Sequence, residues 1–472
     1  MKDKIDFGTT KVSSLFGKLL MPTLLGMVSS ALFVITDGIF VGRGLGSDAL
    51  AAVNIVAPLF LINTGLGLMF GVGASVVASI HLSQGKPKTA RINITQAAMA
   101  LSLVVMTFSM LSVLGAPEVS RLLGSSDRLL APAVEYIYGA VPFFVFSAML
   151  SAGMFYIRLD GSPRYAMMCN VVPAVLNLIL DYLFIFVFRW GVIGAGIATS
   201  LGYVAGAGMV LWYMFFMGRT IRFCRVKTHA RSLRMTVRNV GYICRLGFPS
   251  LLCEAAIASM MFAGNYVFID YLGEDGVAAY SIACYIFPII FMVYNAIAQS
   301  AQPILSYNHG ACLSQRVRTA FRLALLTAVG SGVMFLLITH FFVSDIIALF
   351  IPSGFPANTL AVGGMSLFAL GFIPFAVNIV AIGYYQSIEH DASAMFVTVM
   401  RGYVLMLLSF WLMPKLAGVN GIWLAVPVAE VLTSLLILLM YVRSRKGFIT
   451  FASDRGMAVA GGEAVNGNQI GA

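Results

Sequence analysis

Charge is the scarcest property of this sequence. Only 10% of its 472 residues are Asp, Glu, Lys or Arg, against about 25% in a soluble globular domain. A chain so poor in charge cannot cover its surface with it, so its solvent must be lipid over most of its area. Catalytic signatures are missing too. No GxxxxGK[ST] loop is present, which excludes an ATP engine within this chain. There is no HExxH, no GxSxG and no metal-spaced histidine cluster, so the sequence reads as no enzyme and calls for no cofactor. The six cysteines (Cys169, Cys224, Cys244, Cys253, Cys284, Cys312) show no CxxC pairing and read as free thiols. Ten-residue alternating segments, the mark of a membrane β-barrel, are absent as well.

What the chain has instead is continuous apolar runs, at 60% hydrophobic residues. About 20 residues suffice to span a bilayer. Twelve such runs lie near 15–40, 52–80, 93–115, 131–157, 166–188, 192–217, 242–270, 277–305, 319–342, 358–386, 393–413 and 420–442. Backbone in lipid must satisfy its own hydrogen bonds, so each is expected to be helical. An even count puts both termini on one side. The loops assigned to the opposite side hold only Arg43, Arg121, Arg128, Arg189 and Lys415 of the 30 Lys and Arg. This bias places both termini in the cytoplasm and the protein in the inner (plasma) membrane. The net charge of +11 is then mostly topology, with no nucleic-acid partner implied, and basic juxtamembrane segments can attract membrane lipid.

A shift of 227 residues aligns the chain with itself. Pro22, Leu45-Gly46, Ala51-Ala52 and Gly191-Val192 fall on Pro249, Leu272-Gly273, Ala278-Ala279 and Gly418-Val419. Six helices per half make the two halves a parallel repeat. The expected division is an N-terminal bundle over 1–218, a basic cytoplasmic linker over 219–241, a C-terminal bundle over 242–446 and a disordered tail over 447–472.

Four acids lie inside spans and break the repeat: Asp37, Asp181, Glu254 and Glu430. A charge at mid-membrane costs about 2.5–3.5 kcal/mol even on the lenient insertion scale, so intramembrane acids read as functional by default. Asn177 and Asp181 are four apart on one helix face. Ser30 and Asp37 also share a face, and Thr199 sits across a short turn. Such a set can coordinate a hard cation through oxygen. It can equally hold a proton between two carboxyls, or lock helices together as a polar cluster. Glu254 suits a cationic substrate, a proton or a hydrogen bond to a neighbouring helix, whereas Glu430 reads as a packing group. Pro22 and Pro249 each remove an internal hydrogen bond and can act as hinges or static bends.

The stretch Arg158-x-Asp160-Gly161-x-Pro163, with Asn177-x-x-Leu180-Asp181, Phe184-Ile185-Phe186 and Gly191-x-x-Gly194-Ala195-x-x-Ala198-Thr199, resembles the multidrug and toxic compound extrusion (MATE) family. Asp37-Gly38-x-Phe40-Val41-Gly42 and the following Leu45-Gly46 resemble it too. The resemblance implies two six-helix bundles in a V around a central cavity. It implies export of amphiphilic or cationic organic compounds in exchange for Na+ or H+, with Asp37, Asn177, Asp181 and Thr199 as the coupling site and Pro22 as the bending point. Where some members carry an aspartate in the tenth helix, this chain has Asn378 and Gln386. A lipid-linked precursor flippase of related fold is the alternative. A functional monomer handling small organic substrates is expected.

Overall fold

The computed structural model describes residues 5–226 and 230–445. Among them the secondary structure is helical, with no strand. Ten helical runs are long and apolar enough to cross a membrane, but two of them, Ser232–Gly310 and Asp391–Arg443, span 79 and 53 residues. At 1.5 Å per residue these are too long for one crossing. Each breaks at a glycine of positive φ, Gly273 (65°) and Gly418 (56°), a conformation that only glycine takes freely. Each therefore counts as two, giving twelve crossings.

These are α1 (Val12–Leu45), α2 (Ser47–Ser83), α3 (Pro87–Leu114), α4 (Asp127–Leu159), α5 (Pro163–Val187) and α6 (Gly191–Met217). The second half supplies α7 (230–272), α8 (274–310), α9 (Ser314–Phe341), α10 (Pro356–Ser387), α11 (391–417) and α12 (419–445). Gly46 (φ 91°) and Gly191 (φ 68°) make the corresponding turns in the first half, 227 positions before Gly273 and Gly418. The internal repeat of the sequence thus returns as the same backbone turn at the same two joints.

The joint between halves is shorter than its sequence suggests. Helix α7 already starts at Ala230, so residues 230–241 of the expected linker are helix. That stretch holds no proline and no glycine before Gly241, and arginine and leucine are good helix formers. Ahead of it, the Asp160 carboxylate accepts the backbone N–H groups of Arg219, Thr220 and Ile221 at 3.0, 2.8 and 2.7 Å and the Tyr213 hydroxyl at 2.7 Å. Residues 227–229 and the expected tail over 447–472 lie outside the described residues.

The lobes meet on the side of the chain termini. A Cβ added to Gly247 of α7 would fall 1.8 Å from the Met69 carbonyl oxygen of α2, and one on Gly73 would fall 2.1 Å from that of Ile243. Nearby, Gln302 Nε2 donates to Ser75 Oγ at 3.3 Å, Ser79 Oγ to the Pro303 carbonyl at 3.4 Å, and Arg158 Nη2 to Gln299 Oε1 at 2.9 Å. Residues 5–10 form a strap: Asn308 and Arg316 of the second lobe donate to the Phe7 carbonyl at 3.1 and 3.0 Å. Among the described residues, every side-chain hydrogen bond between the lobes lies in this half of the molecule.

Candidate functional site

Helices α1, α5 and α6 pack closely because small residues sit at their contacts. A Cβ on Gly26 of α1 would come within 3.1 Å of the Asn170 amide of α5, and one on Gly202 of α6 within 3.3 Å of the Pro173 carbonyl oxygen. This closeness turns Asn177 and Asp181 toward Asp37, in the half of the membrane far from the termini; the Thr199 hydroxyl of α6 donates to the Ala195 carbonyl at 3.1 Å. Relative exposure is 9% for Asp37, 3% for Thr199 and 0% for Asn177 and Asp181. Asp181 ends the regular part of α5, immediately before a π-helical turn over Tyr182–Val187. Such turns re-aim side chains and recur at functional sites.

The carboxyls of Asp37 and Asp181 face each other, and Asn177 lies beside Asp181. Asp37 Oδ1, both Asp181 oxygens and both Asn177 amide atoms have no hydrogen-bond partner among the described residues. The ion pairs of the described residues engage neither acid. Unpaired buried charge is costly. Two carboxyls this close, with no cation fixed by the protein, need a proton or a small cation between them. The donor set of two carboxylates, an amide oxygen and a hydroxyl suits a hard ion.

Tyr136 of α4 belongs to this cluster and was not legible in the sequence. It is buried, with its hydroxyl facing Thr199 and its ring packed on Phe60, the centroids 5.9 Å apart. No spacing rule marks one tyrosine among apolar neighbours, and only packing selects it.

Other expected residues fall elsewhere. Ser30 stands two turns from Asp37 and donates to the Gly26 carbonyl at 3.1 Å, so the structure does not bring it to the carboxyls. Glu254 is half-buried on α7, on the face that carries Gly247 and Leu251. Leu251 meets Gly65 of α2, whose added Cβ would lie 3.2 Å away. Glu254 is one turn beyond that contact, where the lobes begin to part. Asn378 is not joined to Glu254. It donates to Glu430 Oε2 at 2.7 Å and accepts from Ser434 Oγ at 2.8 Å. Arg401 completes that network, with Nε 3.0 Å from Glu430 Oε2 and Nη2 2.8 Å from Oε1. The second lobe therefore carries its own buried cation. Pro22 and Pro249 lie inside α1 and α7 and deprive the carbonyls of Lys18 and Arg245 of their helical donors.

Between the lobes, Leu68, Val72 and Phe155 of the first and Ser250, Gln299 and Gln386 of the second line a space of about 40 Å³. A molecule of two equivalent lobes, sealed on one side and holding an unpaired acid cluster within one lobe, is a repeat-built membrane transporter. A family model described as MatE matches residues 22–183 and 249–411, one segment in each lobe. The chain belongs to the MatE family of multidrug efflux transporters, which are not enzymes.

The chain is similar to the multidrug export protein MepA of Staphylococcus saprophyticus, at 23% identity over 89% of this chain and 91% of the relative. It is also similar to an FAD transporter of Shewanella oneidensis, at 22% identity over 92% and 95% of the two chains. The outward-facing structure of a multidrug resistance MATE family transporter of the MOP superfamily superposes with a TM-score of 0.84. It has 21% identity and covers 92% of this chain and 96% of that one.

Proposed function

We propose that this chain is a secondary-active antiporter that exports amphiphilic or cationic organic compounds in exchange for Na+ or H+. The observation that carries the reading is the facing pair Asp37 and Asp181, whose buried Asp37 Oδ1 and Asp181 Oδ1 and Oδ2 have no hydrogen-bond partner among the described residues. Its second support is the name of MepA, a multidrug export protein. Both termini are assigned to the cytoplasm of the inner membrane, from the basic-residue bias, so the sealed side is cytoplasmic and the structure outward-facing.

Coupling then follows from charge. An ion or proton entering from outside neutralises Asp37 and Asp181, with Asn177 and Thr199 supplying oxygen to a bound cation. Neutralisation changes the cost of bending α1 at Pro22 and repacking the lobe, and drug leaves outward. An ion drives this only because it binds the two states differently. Glu254, at the floor of the cleft, offers a negative charge to a cationic substrate. Pro249 is the equivalent bend in the second lobe. The transporter works as a monomer, with the cation as cargo and no resident cofactor. A flippase for lipid-linked precursors is not favoured, because Glu430 already neutralises the buried Arg401.

The test is efflux from proteoliposomes with a Na+ or a pH gradient imposed alone, comparing wild type with Asp181→Asn. Gradient-driven efflux lost in the variant supports the reading. Full activity in Asp37→Asn and Asp181→Asn alike refutes it.

A further inference from the structure

The residue after each bend proline carries a hydroxyl, and a polar side chain from the end of the fourth helix of the same lobe holds it. In the first lobe, Arg158 of α4 donates through Nη1 to Thr23 Oγ1 at 3.4 Å, one residue after Pro22. In the second, Gln386 of α10 donates through Nε2 to Ser250 Oγ at 3.0 Å, one residue after Pro249. The carbonyl three residues before each proline is tied as well. That of Leu19 accepts from Thr23 Oγ1 at 2.8 Å, and that of Leu246 from Gln386 Nε2 at 3.1 Å. A proline leaves its helix one internal bond short, so both clips stand where α1 and α7 bend most easily.

Among the described residues, only the first-lobe clip reaches across to the other lobe. Arg158 Nη2 donates to Gln299 Oε1 of α8 at 2.9 Å, while Nε bonds the Met154 carbonyl at 3.1 Å. Gln299 is one turn from Gln302, which bonds Ser75 where the lobes meet. Arg158 is buried, and none of the ion pairs among the described residues includes it. A buried cation answered by neutral acceptors alone is costly. What a guanidinium supplies in return is several donors fixed in one plane. Here that plane holds acceptors on two helices of different lobes.

We propose that Arg158 is a positioning residue that carries a bend of α1 at Pro22 to the contact between the lobes. The proposal rests on the coupling role read for Asp37 and Asp181, since Asp37 and Thr23 share α1. A bend at Pro22 moves Thr23 Oγ1 relative to α4. The planar guanidinium cannot follow it and keep Gln299, so one of the two bonds is given up. The present shape of α1 and the closed contact at α8 therefore favour each other. Gln386 provides no such link, because its bonds stay within the second lobe.

The test reads the lobes directly, with the full chain in liposomes. Spin labels at Lys88 of α3 and Arg322 of α9 report the inter-lobe distance as Na+ concentration and pH are varied. The coupling ion should shift the open-to-closed ratio in the wild type. Thr23→Val keeps the shape of the side chain and removes a hydroxyl whose bonds go only to Leu19 and Arg158. It should nevertheless weaken the ion-induced shift about five-fold, the worth of one hydrogen bond. Thr23→Ser keeps the acceptor and should respond as the wild type does. In Arg158→Gln, and separately in Gln299→Leu, the response should already be reduced, and adding Thr23→Val should change nothing further.

A packing role for Arg158 gives a different pattern, because Thr23→Val would then leave the lobes unmoved. A wild-type response in Thr23→Val overturns the proposal, and so do additive losses in the double variants. Asp181→Asn is the reference and should lose the response altogether. That loss beside a wild-type response in Thr23→Val removes the relay and leaves the coupling site standing. A full response in Asp181→Asn removes both.

Discussion

Ser75 and Gln302 hydrogen-bond to each other across the lobe interface, with Nε2 3.3 Å from Oγ. They are 227 residues apart, the same shift that superimposes the two halves of the sequence. Equivalent residues of a twofold repeat can touch only where the axis passes between them. The bond therefore marks the pseudo-twofold axis where the lobes meet. It needs little breaking, since one such bond contributes only about 1 kcal/mol net.

Tighter sealing comes from backbone. Gly247→Ala puts a methyl into the Met69 carbonyl, and neither helix can yield without parting the lobes. Overpacking of this kind costs about 1–3 kcal/mol. The closed state should lose that much, and spin labels at Lys88 and Arg322 should report a longer inter-lobe distance in a larger fraction of molecules. An unchanged distance distribution would show that α2 and α7 are not the seal.

Asp37→Asn and Asp181→Asn should both reduce gradient-driven efflux by about 5- to 150-fold, the range of ordinary coupling free energies. Insertion and expression should be normal, because amides replace groups that make no fixed bond. Tyr136→Phe should weaken coupling less, through loss of the hydroxyl that faces Thr199. Vesicle efflux under each gradient measures all three.

Arg401 and Glu430 should behave as a pair. Removing one charge strands the other in a buried site, at about 3–5 kcal/mol. Arg401→Met or Glu430→Gln alone should lower the thermal unfolding midpoint markedly. The double variant Arg401→Met/Glu430→Met should recover most of the loss, and ion dependence should remain as in the wild type. A changed ion requirement would assign this network to coupling.

The strap should be insensitive to pH in the physiological range. The Thr9 hydroxyl at 2.6 Å, then the Gly8 amide at 2.8 Å, hold the Asp6 carboxyl below its ordinary value of 3.8. A lowered acid stabilises the folded turn above that ordinary value, and the contribution fades as pH falls through the lower one. Arg316→Gln, by contrast, removes donors to the Phe7 and Thr10 carbonyls and should release the strap at any pH. Protease cleavage near Thr10 as a function of pH would read both effects.

The membrane as solvent, the count of crossings and the repeat were legible in the sequence, because hydrophobicity and glycine placement act locally along the chain. The sequence also made Asp37 and Asp181 stand out, since an acid in an apolar run is conspicuous wherever it packs. It left Ser30 beside Asp37, since helix periodicity shows a shared face but not which neighbour that face meets. Only the tertiary structure turned Tyr136 toward Thr199, gave Arg401 to Glu430 and aligned Ser75 with Gln302. Those partners come from distant helices, and their meeting depends on how closely glycine lets two backbones approach, a property of the packed pair that neither helix carries by itself.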